Sequence, residues 1–314
     1  MANPGTPQLI TVFGASGFIG RYVCEALLKS GARIRVAEPD PRKAYILQPL
    51  GGVGMVTHMV ANFTTPESAV RAVEGADAVV NLVGVFKGDL QAIHVTTPGA
   101  IARATREQGA AMVHISAIGA NPDSEAAYAR TKGEGEAAVR AGNPDATIIR
   151  PSTVFGAEDK FTNRFAQMAT WPVLPVVAPE TRMQPLFVRD LVNAIAAAVM
   201  EPKSHGGKTY ELAGDEVKTM RAMLGEIAGL AYQSPSLVDL PDFVSAAIAA
   251  LGFLPGWPIS RDQWLMLQTD NVASGKLPGF KAFGIDPTPM DAVAHEWLAR
   301  FRRGGRFGPN PKTA

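Results

Sequence analysis

Seven residues, Gly14-Ala15-Ser16-Gly17-Phe18-Ile19-Gly20, sit between the apolar run Leu9–Phe13 and an amphipathic stretch that reaches to about Ser30. Glycines at that spacing, after a short β-branched run, restrict what the segment can become. The first permits a tight turn, the second lets main chain approach a ligand closely, and the third lets the following helix pack near the sheet. A helix entered this way presents free N–H groups and a partial positive charge, which suit a pyrophosphate. The pattern is G-x-x-G-x-x-G rather than G-x-G-x-x-G, and an ordinary strand–helix turn is the simpler alternative. Its place behind the first strand of a βαβ unit favours a dinucleotide.

The next 130 or so residues repeat the theme, in the sense of short buried runs separated by helical patterns. Strands are expected at Leu9–Phe13, Arg33–Ala37, Met55–Val60, Ala78–Leu82, Met112–Ser116 and Ala146–Arg150. Helices are expected at Glu67–Glu74, Leu90–Gln108 and Glu125–Ala141. This alternation implies right-handed crossovers and a doubly wound parallel sheet of the Rossmann α/β type. Past Pro151 the prolines at 172, 175, 179 and 185 suggest loops laid over the sheet. Helices at Asp190–Met200, Thr219–Leu230, Phe243–Leu251, Arg261–Thr269 and Met290–Phe301, with a strand at Lys208–Leu212, make a smaller, mostly helical C-terminal region. The division reads as 1–150 for the dinucleotide and 151–314 for the substrate side, with segments returning to the sheet. The last residues, Gly304–Ala314, read as frayed.

Composition excludes several classes. Thirty Lys and Arg against 29 Asp and Glu give a net charge of +1, which does not suit a nucleic-acid binder. With 46% hydrophobic and 19% charged residues the chain is not of disordered type. Its one cysteine, Cys24, permits neither an internal disulfide nor a cysteine-based metal site, so a reducing compartment is expected. No signal peptide is read at the start. The apolar run Phe243–Leu254 is 12 residues, short of the roughly 20 that span a bilayer. The expected location is cytoplasmic, or peripheral to the inner membrane.

Particular residues carry the chemistry. Glu38 lies 24 positions after Gly14, where a carboxylate accepts hydrogen bonds from the adenosine ribose 2′-OH and repels a 2′-phosphate. NAD(H) is therefore favoured, with NADP(H) the alternative because Arg42 and Lys43 are near. A solvated loop carboxylate is the plainer reading of Glu38. Asn62 follows the third strand toward the adenine edge; Asn81, Val83 and Gly84 follow the fourth, along the cofactor path. Tyr128 and Lys132 are four apart on one helix face. An ammonium beside a phenol eases its proton transfer and can hold a nicotinamide ribose, although such a pair is also common on solvated helix faces.

The glycine loop, Tyr128-x-x-x-Lys132 and Arg150-Pro151-Ser152 together resemble the extended and atypical short-chain dehydrogenases/reductases (NAD-dependent epimerase/dehydratase-like). Within them the chain is similar to the branch that contains the ninth α-subcomplex accessory subunit of complex I. That likeness rests on Val113-His114-Ile115-Ser116-Ala117-Ile118-Gly119-Ala120, Phe155–Phe161, Gln184–Asp190, Arg261-Asp262-Gln263 and Asp270-Asn271-Val272. It implies that Gly14, Ser16, Gly17, Phe18, Ile19 and Gly20 meet the phosphates. It also implies that Tyr128 is the proton donor, that Lys132 holds the ribose, and that Pro151, Thr153 and Val154 line the nicotinamide. Active members carry a second hydroxyl where this chain has Ala117, so Ser116 is the remaining hydroxyl and reads either as a substitute or as a turn cap. Glu38-Pro39 also departs from the branch, where an apolar residue and Arg are usual.

The five histidines show no ligand spacing, and no metal is expected; His114 reads as a core residue. Glu158 and Asp159 are adjacent and point apart, and Asp190 reads as a helix N-cap. The basic cluster Arg300, Arg302, Arg303 and Arg306 reads as solvated, with acidic lipids or a partner the alternative contact. The stripe Phe243, Ile248, Leu251, Phe253, Leu254 and Trp257 reads as core, lid or an interface with a membrane or partner. Two functions then compete. One is an oxidoreductase acting on a small hydrophobic carbonyl, hydroxyl or quinone-like substrate. The other is a non-catalytic, dinucleotide-bound accessory or assembly subunit in contact with a respiratory complex.

Overall fold

In the computed structural model, residues 8–250 and 260–302 are described. The chain divides into two compact units, Met1–Pro151 with Arg189–Leu212 and Gly275–Ile285, and Ser152–Val188 with Ala213–Ser274 and Asp286–Ala314. Along the first come β1 (Leu9–Phe13), α1 (Phe18–Lys29), β2 (Arg33–Glu38), a 3-10 crossover Pro41–Leu50, and β3 (Val56–Val60). There follow α2 (Pro66–Arg71), β4 (Ala78–Asn81), a π-helical turn Ala92–Thr96, α3 (Thr97–Gln108), β5 (Ala111–Ile115), α4 (Ala127–Gly142) and β6 (Thr147–Pro151).

The later elements are β7 (Val154–Phe155), α5 (Phe161–Met168), β8 (Val173–Val176), β9 (Arg182–Met183), β10 (Leu186–Phe187), α6 (Val188–Met200), α7 (Pro202–His205) and β11 (Thr209–Leu212). After them run β12 (Lys218–Thr219), α8 (Met220–Leu230), β13 (Ser236–Asp239), α9 (Asp242–Ala250), α10 (Arg261–Leu267), α11 (Met290–Val293) and α12 (His295–Leu298).

Seven strands form one parallel sheet in the order β11-β6-β5-β4-β1-β2-β3. The order reverses beside β1, which pairs with β2 on one side and β4 on the other. In this Rossmann-type sheet a ligand crevice opens at the carboxyl ends of the strands at such a reversal. Register places Phe13 opposite Asn81, so the loops after β1 and β4 leave the sheet side by side. The strands are apolar because both faces are covered. One face packs Phe13, Phe63, Val79, Ile101, Met112 and Val139, with Phe13 and Phe63 edge to face at 5.3 Å.

Two helices come close enough to exclude any Cβ between them. A Cβ on Gly135 of α4 would lie 2.1 Å from the carbonyl oxygen of His94, and one on Gly142 would lie 2.8 Å from that of Gly99. The π turn at Ala92–Thr96 sits where this approach is tightest. The helix expected as one piece from Leu90 to Gln108 is interrupted there, and π turns often mark functional sites. Asp190 lies inside α6, two residues after its start, where its carboxylate complements the helix dipole.

In the second unit the expected loops hold short strand pairs instead. β7 pairs parallel with β10, β8 parallel with β13, and β9 antiparallel with β12. They surround a core of Phe155, Leu174, Met183, Met223, Leu224, Ile227 and Leu298. Proline-rich stretches hid these strands because each is only two to four residues long. The helix read as Met290–Phe301 is α11, α12 and a 3-10 turn, joined through Ala294. Asp159 accepts the N–H of Thr162 at 2.6 Å and that of Gly156 at 3.1 Å, so it orders the entry to α5. Leu251, Phe253, Leu254, Trp257, Arg303, Arg306 and Gly304–Ala314 lie outside the described residues; Phe243 is exposed on α9.

Replacing Gly135 with Ala forces overpacking where α4 meets the π turn, which typically costs about 1–3 kcal/mol. Urea denaturation of Gly135→Ala should show that loss, whereas Gly109→Ala, with nothing within 4 Å but a positive φ of 69°, should lose less.

Candidate dinucleotide site

Gly14 adopts φ +80°, and a Cβ there would lie 3.4 Å from Leu82 C and Val83 N. A Cβ on Gly17 would lie 3.1 Å from Gly14 O, and one on Gly20 only 2.2 Å from the same atom. The turn is therefore closed by main chain against main chain. Gly17 is the N-cap of α1 and offers no side chain, so Phe18, Ile19 and Gly20 begin a helix that no side chain caps. Those first-turn N–H groups, the exposed Gly17 and the dipole fit a diphosphate.

Glu38 is the last residue of β2 and is buried, so it is not a solvated loop carboxylate. Its two oxygens accept the N–H of Ser16 at 2.5 Å and the hydroxyl of Ser16 at 2.6 Å. A fixed negative charge thereby stands against the glycine loop. Burial, and secondarily the Glu38 charge, push the nearby Cys24 thiol far above its ordinary range, leaving it an inert core group. Arg42 is turned onto Asp40, with Nε to Oδ1 at 2.8 Å and Nη2 to Oδ2 at 3.1 Å. Asn62 is exposed and its Oδ1 accepts from Thr64 N–H, an Asx turn after β3.

The pair Tyr128 and Lys132 converges with the loop after β4. Lys132 is buried, and its Nζ donates to Ile115 O at 2.9 Å and to Val83 O at 3.2 Å. A Cβ built on Gly84 would lie 3.5 Å from both Lys132 Nζ and Tyr128 Oη, so the ammonium and phenol flank the same main-chain point. Burial lowers Lys132 to about 8, partly opposed by the Glu136 charge, and raises the Tyr128 phenol to about 12. At neutral pH the phenol therefore carries its proton.

His94 was not singled out by its sequence, and the structure puts it at the centre. Its ring lies edge-on to Tyr128 at 5.4 Å, while Phe86 stacks on Tyr128 at 4.4 Å. His94 Nε2 accepts Val85 N–H at 3.1 Å, which leaves Nδ1–H to donate to Thr131 Oγ1 at 2.9 Å. The Thr131 hydroxyl in turn donates to Ala127 O at 2.8 Å. Desolvation, then the Lys132 charge, lower His94 to about 3, so the imidazole is neutral. Only the π turn, which no sequence pattern announced, brings it there.

Ser116 is buried, and its hydroxyl donates to Glu136 Oε1. The same carboxylate takes Arg150 Nε at 2.8 Å and Nη2 at 2.6 Å. The serine expected beside a carbonyl is thus committed to a bidentate ion pair. Beneath it Asn81 Nδ2 donates to His114 Nδ1 at 3.1 Å, while Asn81 Oδ1 accepts Val83 N–H. Pro151 ends β6 and accepts Ile118 N–H at 2.9 Å. Thr153 and Val154 belong to the second unit, where Asn271 Oδ1 accepts both the N–H and the hydroxyl of Thr153, and Val154 pairs with Leu186. Gln184 ties that region together through Gly214 O and Ala273 N–H. Among the described residues no cluster of three or more His, Cys, Asp or Glu could hold a metal, and no helix is long and apolar enough to cross a membrane.

A reversed parallel sheet with a glycine loop on one side of the crevice and a Tyr–Lys pair on the other defines a nucleotide-binding Rossmann protein of the extended short-chain dehydrogenase type. The comparisons narrow the class. The profile of the NAD dependent epimerase/dehydratase family matches residues 10–213, and the chain belongs to that family. It is 33% identical over 302 residues to the NADH dehydrogenase [ubiquinone] 1 alpha subcomplex subunit 9, mitochondrial, of Rattus norvegicus, covering 93% of this chain and 80% of that protein. It is 29% identical over 240 residues to a ceramide reductase of Caulobacter vibrioides, covering 74% of each. In fold it resembles the NADPH-dependent quinone oxidoreductase QOR2 of Escherichia coli, with TM-score 0.72 at 21% identity over 92% of this chain and 99% of that one.

Lys132 makes stability depend on pH in a definite direction. Its pKa falls from the ordinary 10.5 to about 8 on folding, so between those values the unfolded chain binds more protons than the folded one. Unfolding free energy from this group therefore rises with pH from about 8, by up to roughly 3 kcal/mol. The gain should be absent from Lys132→Met when both are denatured in urea across pH 7.5–10. Above pH 10 the raised Tyr128 pKa opposes it, because the folded state then binds the extra proton.

Proposed function

We propose that the protein is an NAD(H)-preferring oxidoreductase of hydrophobic carbonyl, hydroxyl or quinone-like compounds. The observation that carries the reading is the convergence of Tyr128 Oη and Lys132 Nζ on Gly84, beside the reversal of strand order. Gly14, Gly17, Gly20 and the first turn of α1 would hold the diphosphate. Glu38 would face the adenosine ribose and disfavour a 2′-phosphate, with Arg42 already paired to Asp40. A bound reduced nicotinamide supplies hydride. Tyr128, protonated at neutral pH, gives the proton to the developing alkoxide, and Lys132 stabilises the phenolate that results. His94 and Phe86 fix the phenol ring between them. The hydrophobic substrate class is supported by the names of the ceramide reductase and quinone oxidoreductase relatives.

A second reading is favoured by one specific observation. Ser116 is bonded to Glu136 and its neighbour is Ala117, so no side-chain hydroxyl from this loop is available to polarise a carbonyl. Loss of such a donor costs about 3 kcal/mol in the transition state. In this reading the dinucleotide stabilises an accessory subunit on a respiratory complex at the membrane, in keeping with the names of the alpha subcomplex relatives.

Thermal shift should respond more to NADH than to NADPH, and Glu38→Ala should narrow the difference; equal responses in the parent would sink the assignment of Glu38. Single-turnover oxidation of bound NADH by a panel of quinones and ketones should slow by at least tenfold in Tyr128→Phe. If parent and variant decay at one slow rate while both bind NADH, the accessory reading stands and the enzymatic one fails.

A further inference from the structure

The two edges of the seven-stranded sheet are finished differently. Along β11 the chain covers itself: Glu211 N–H donates to Pro278 O at 3.1 Å, and Gly279 lies against Glu211 O. At the other end β3 pairs with β2, and no described strand follows it. Open edges are commonly guarded by lysine, proline or a bulge. β3 reads Val56-Thr57-His58-Met59-Val60 and has no Lys, Arg, Asp, Glu or Pro.

The surface around that edge is apolar. Of the twelve large hydrophobic side chains left exposed among the described residues, five fall between positions 45 and 60: Tyr45, Ile46, Leu50, Val53 and Val60. No Asp or Glu occurs from Pro41 through Pro66, and the only Lys or Arg there are Arg42 and Lys43. Arg42 is already matched by Asp40. Tyr45 lies edge-on to His58 at 5.1 Å, and Gln48 Nε2 lies 3.5 Å from His58 Nε2. The crossover therefore flanks the face of β3 that bears Val56, His58 and Val60.

We propose that this edge is a dimer interface in which β3 pairs antiparallel with β3 of a second copy of the chain. The strand is self-complementary. Turned end for end about His58, it sets Val56 opposite Val60 and Thr57 opposite Met59, with His58 facing its own counterpart. The two-fold axis of such a pair stands perpendicular to the sheet, so both crossovers fall on the same side. Tyr45 and Ile46 of one copy then approach those of the other, an isologous contact that covers the exposed apolar groups. Near-neutrality of the patch removes the like-charge repulsion that would otherwise oppose self-association. A bilayer would also accept apolar side chains, but it makes no use of an unpaired backbone edge. A foreign strand would use the edge without requiring its end-to-end symmetry.

Sedimentation velocity of the full chain at tens of micromolar should show a dimer. Ile46→Glu combined with Val60→Lys should give a monomer with the parent's circular dichroism, and its melting temperature should lose the concentration dependence that a dimer shows. A register-specific measurement keeps the test decisive if that variant folds poorly. Facing Cα atoms of antiparallel neighbours lie about 4.5–5.5 Å apart, within disulfide range. His58→Cys should therefore form a disulfide-linked dimer on mild oxidation, whereas the parent, whose one cysteine is buried, should not. A parent that stays monomeric overturns the proposal, as does a dimer that resists the charge substitutions and fails to cross-link through position 58. A monomer that floats with anionic phospholipid vesicles, and loses them on Ile46→Glu, overturns it in favour of a lipid surface.

Discussion

An ammonium group removed from water has to be solvated by the protein, and Lys132 meets that requirement with main-chain carbonyls. Ile115 O comes from the end of β5 and Val83 O from the loop after β4. One side chain on α4 thereby fixes where two neighbouring strands may end. The helix that carries it packs closely on the π turn and on α3, which Gly135 and Gly142 permit by their lack of side chains. Tyr128, one turn earlier on the same helix, inherits its place from that arrangement. The burial that depresses the Lys132 pKa and raises that of Tyr128 belongs to the same packing. Stability and site chemistry are coupled here because the same desolvated groups serve both.

Around this anchor the polar groups divide into two sets. His94, Thr131 and Val85 hold the phenol and the loop after β4 from one side, with a histidine whose neutrality follows from burial next to Lys132. Ser116, Glu136 and Arg150 form the other set, a bidentate ion pair with a serine attached. A partly buried pair of this kind is a weak source of net stability, because desolvation offsets much of the attraction. It is nevertheless intolerant of losing one partner, and the Ser116 hydroxyl donates into it. By name, the relatives of the chain include both a ceramide reductase and a subunit of the mitochondrial NADH dehydrogenase.

Much of the first unit was legible from the residues. The strands at Leu9–Phe13, Arg33–Glu38, Ala78–Asn81 and Thr147–Pro151 appear within a residue or two of where their apolar runs put them. Glycine spacing identified the turn, because close backbone approach excludes other residues. The spacing of four between Tyr128 and Lys132 put them on one helix face, since helical geometry is local. The short strands β7 to β10 escaped notice, as pairs of two to four residues are defined by their partners and leave no period in the sequence.

What the sequence determined by itself was therefore everything set by local periodicity and local stereochemistry: the parallel sheet, the glycine turn, and the shared face of Tyr128 and Lys132. What only the tertiary structure decided were the partners of polar groups far apart in the chain. Ser16 with Glu38, Ser116 with Glu136, His94 against Tyr128 and the place of β3 at the end of the described sheet all depend on which strands and helices become neighbours. A hydroxyl or imidazole has several hydrogen-bonding choices of similar energy, and only the packed surroundings remove all but one.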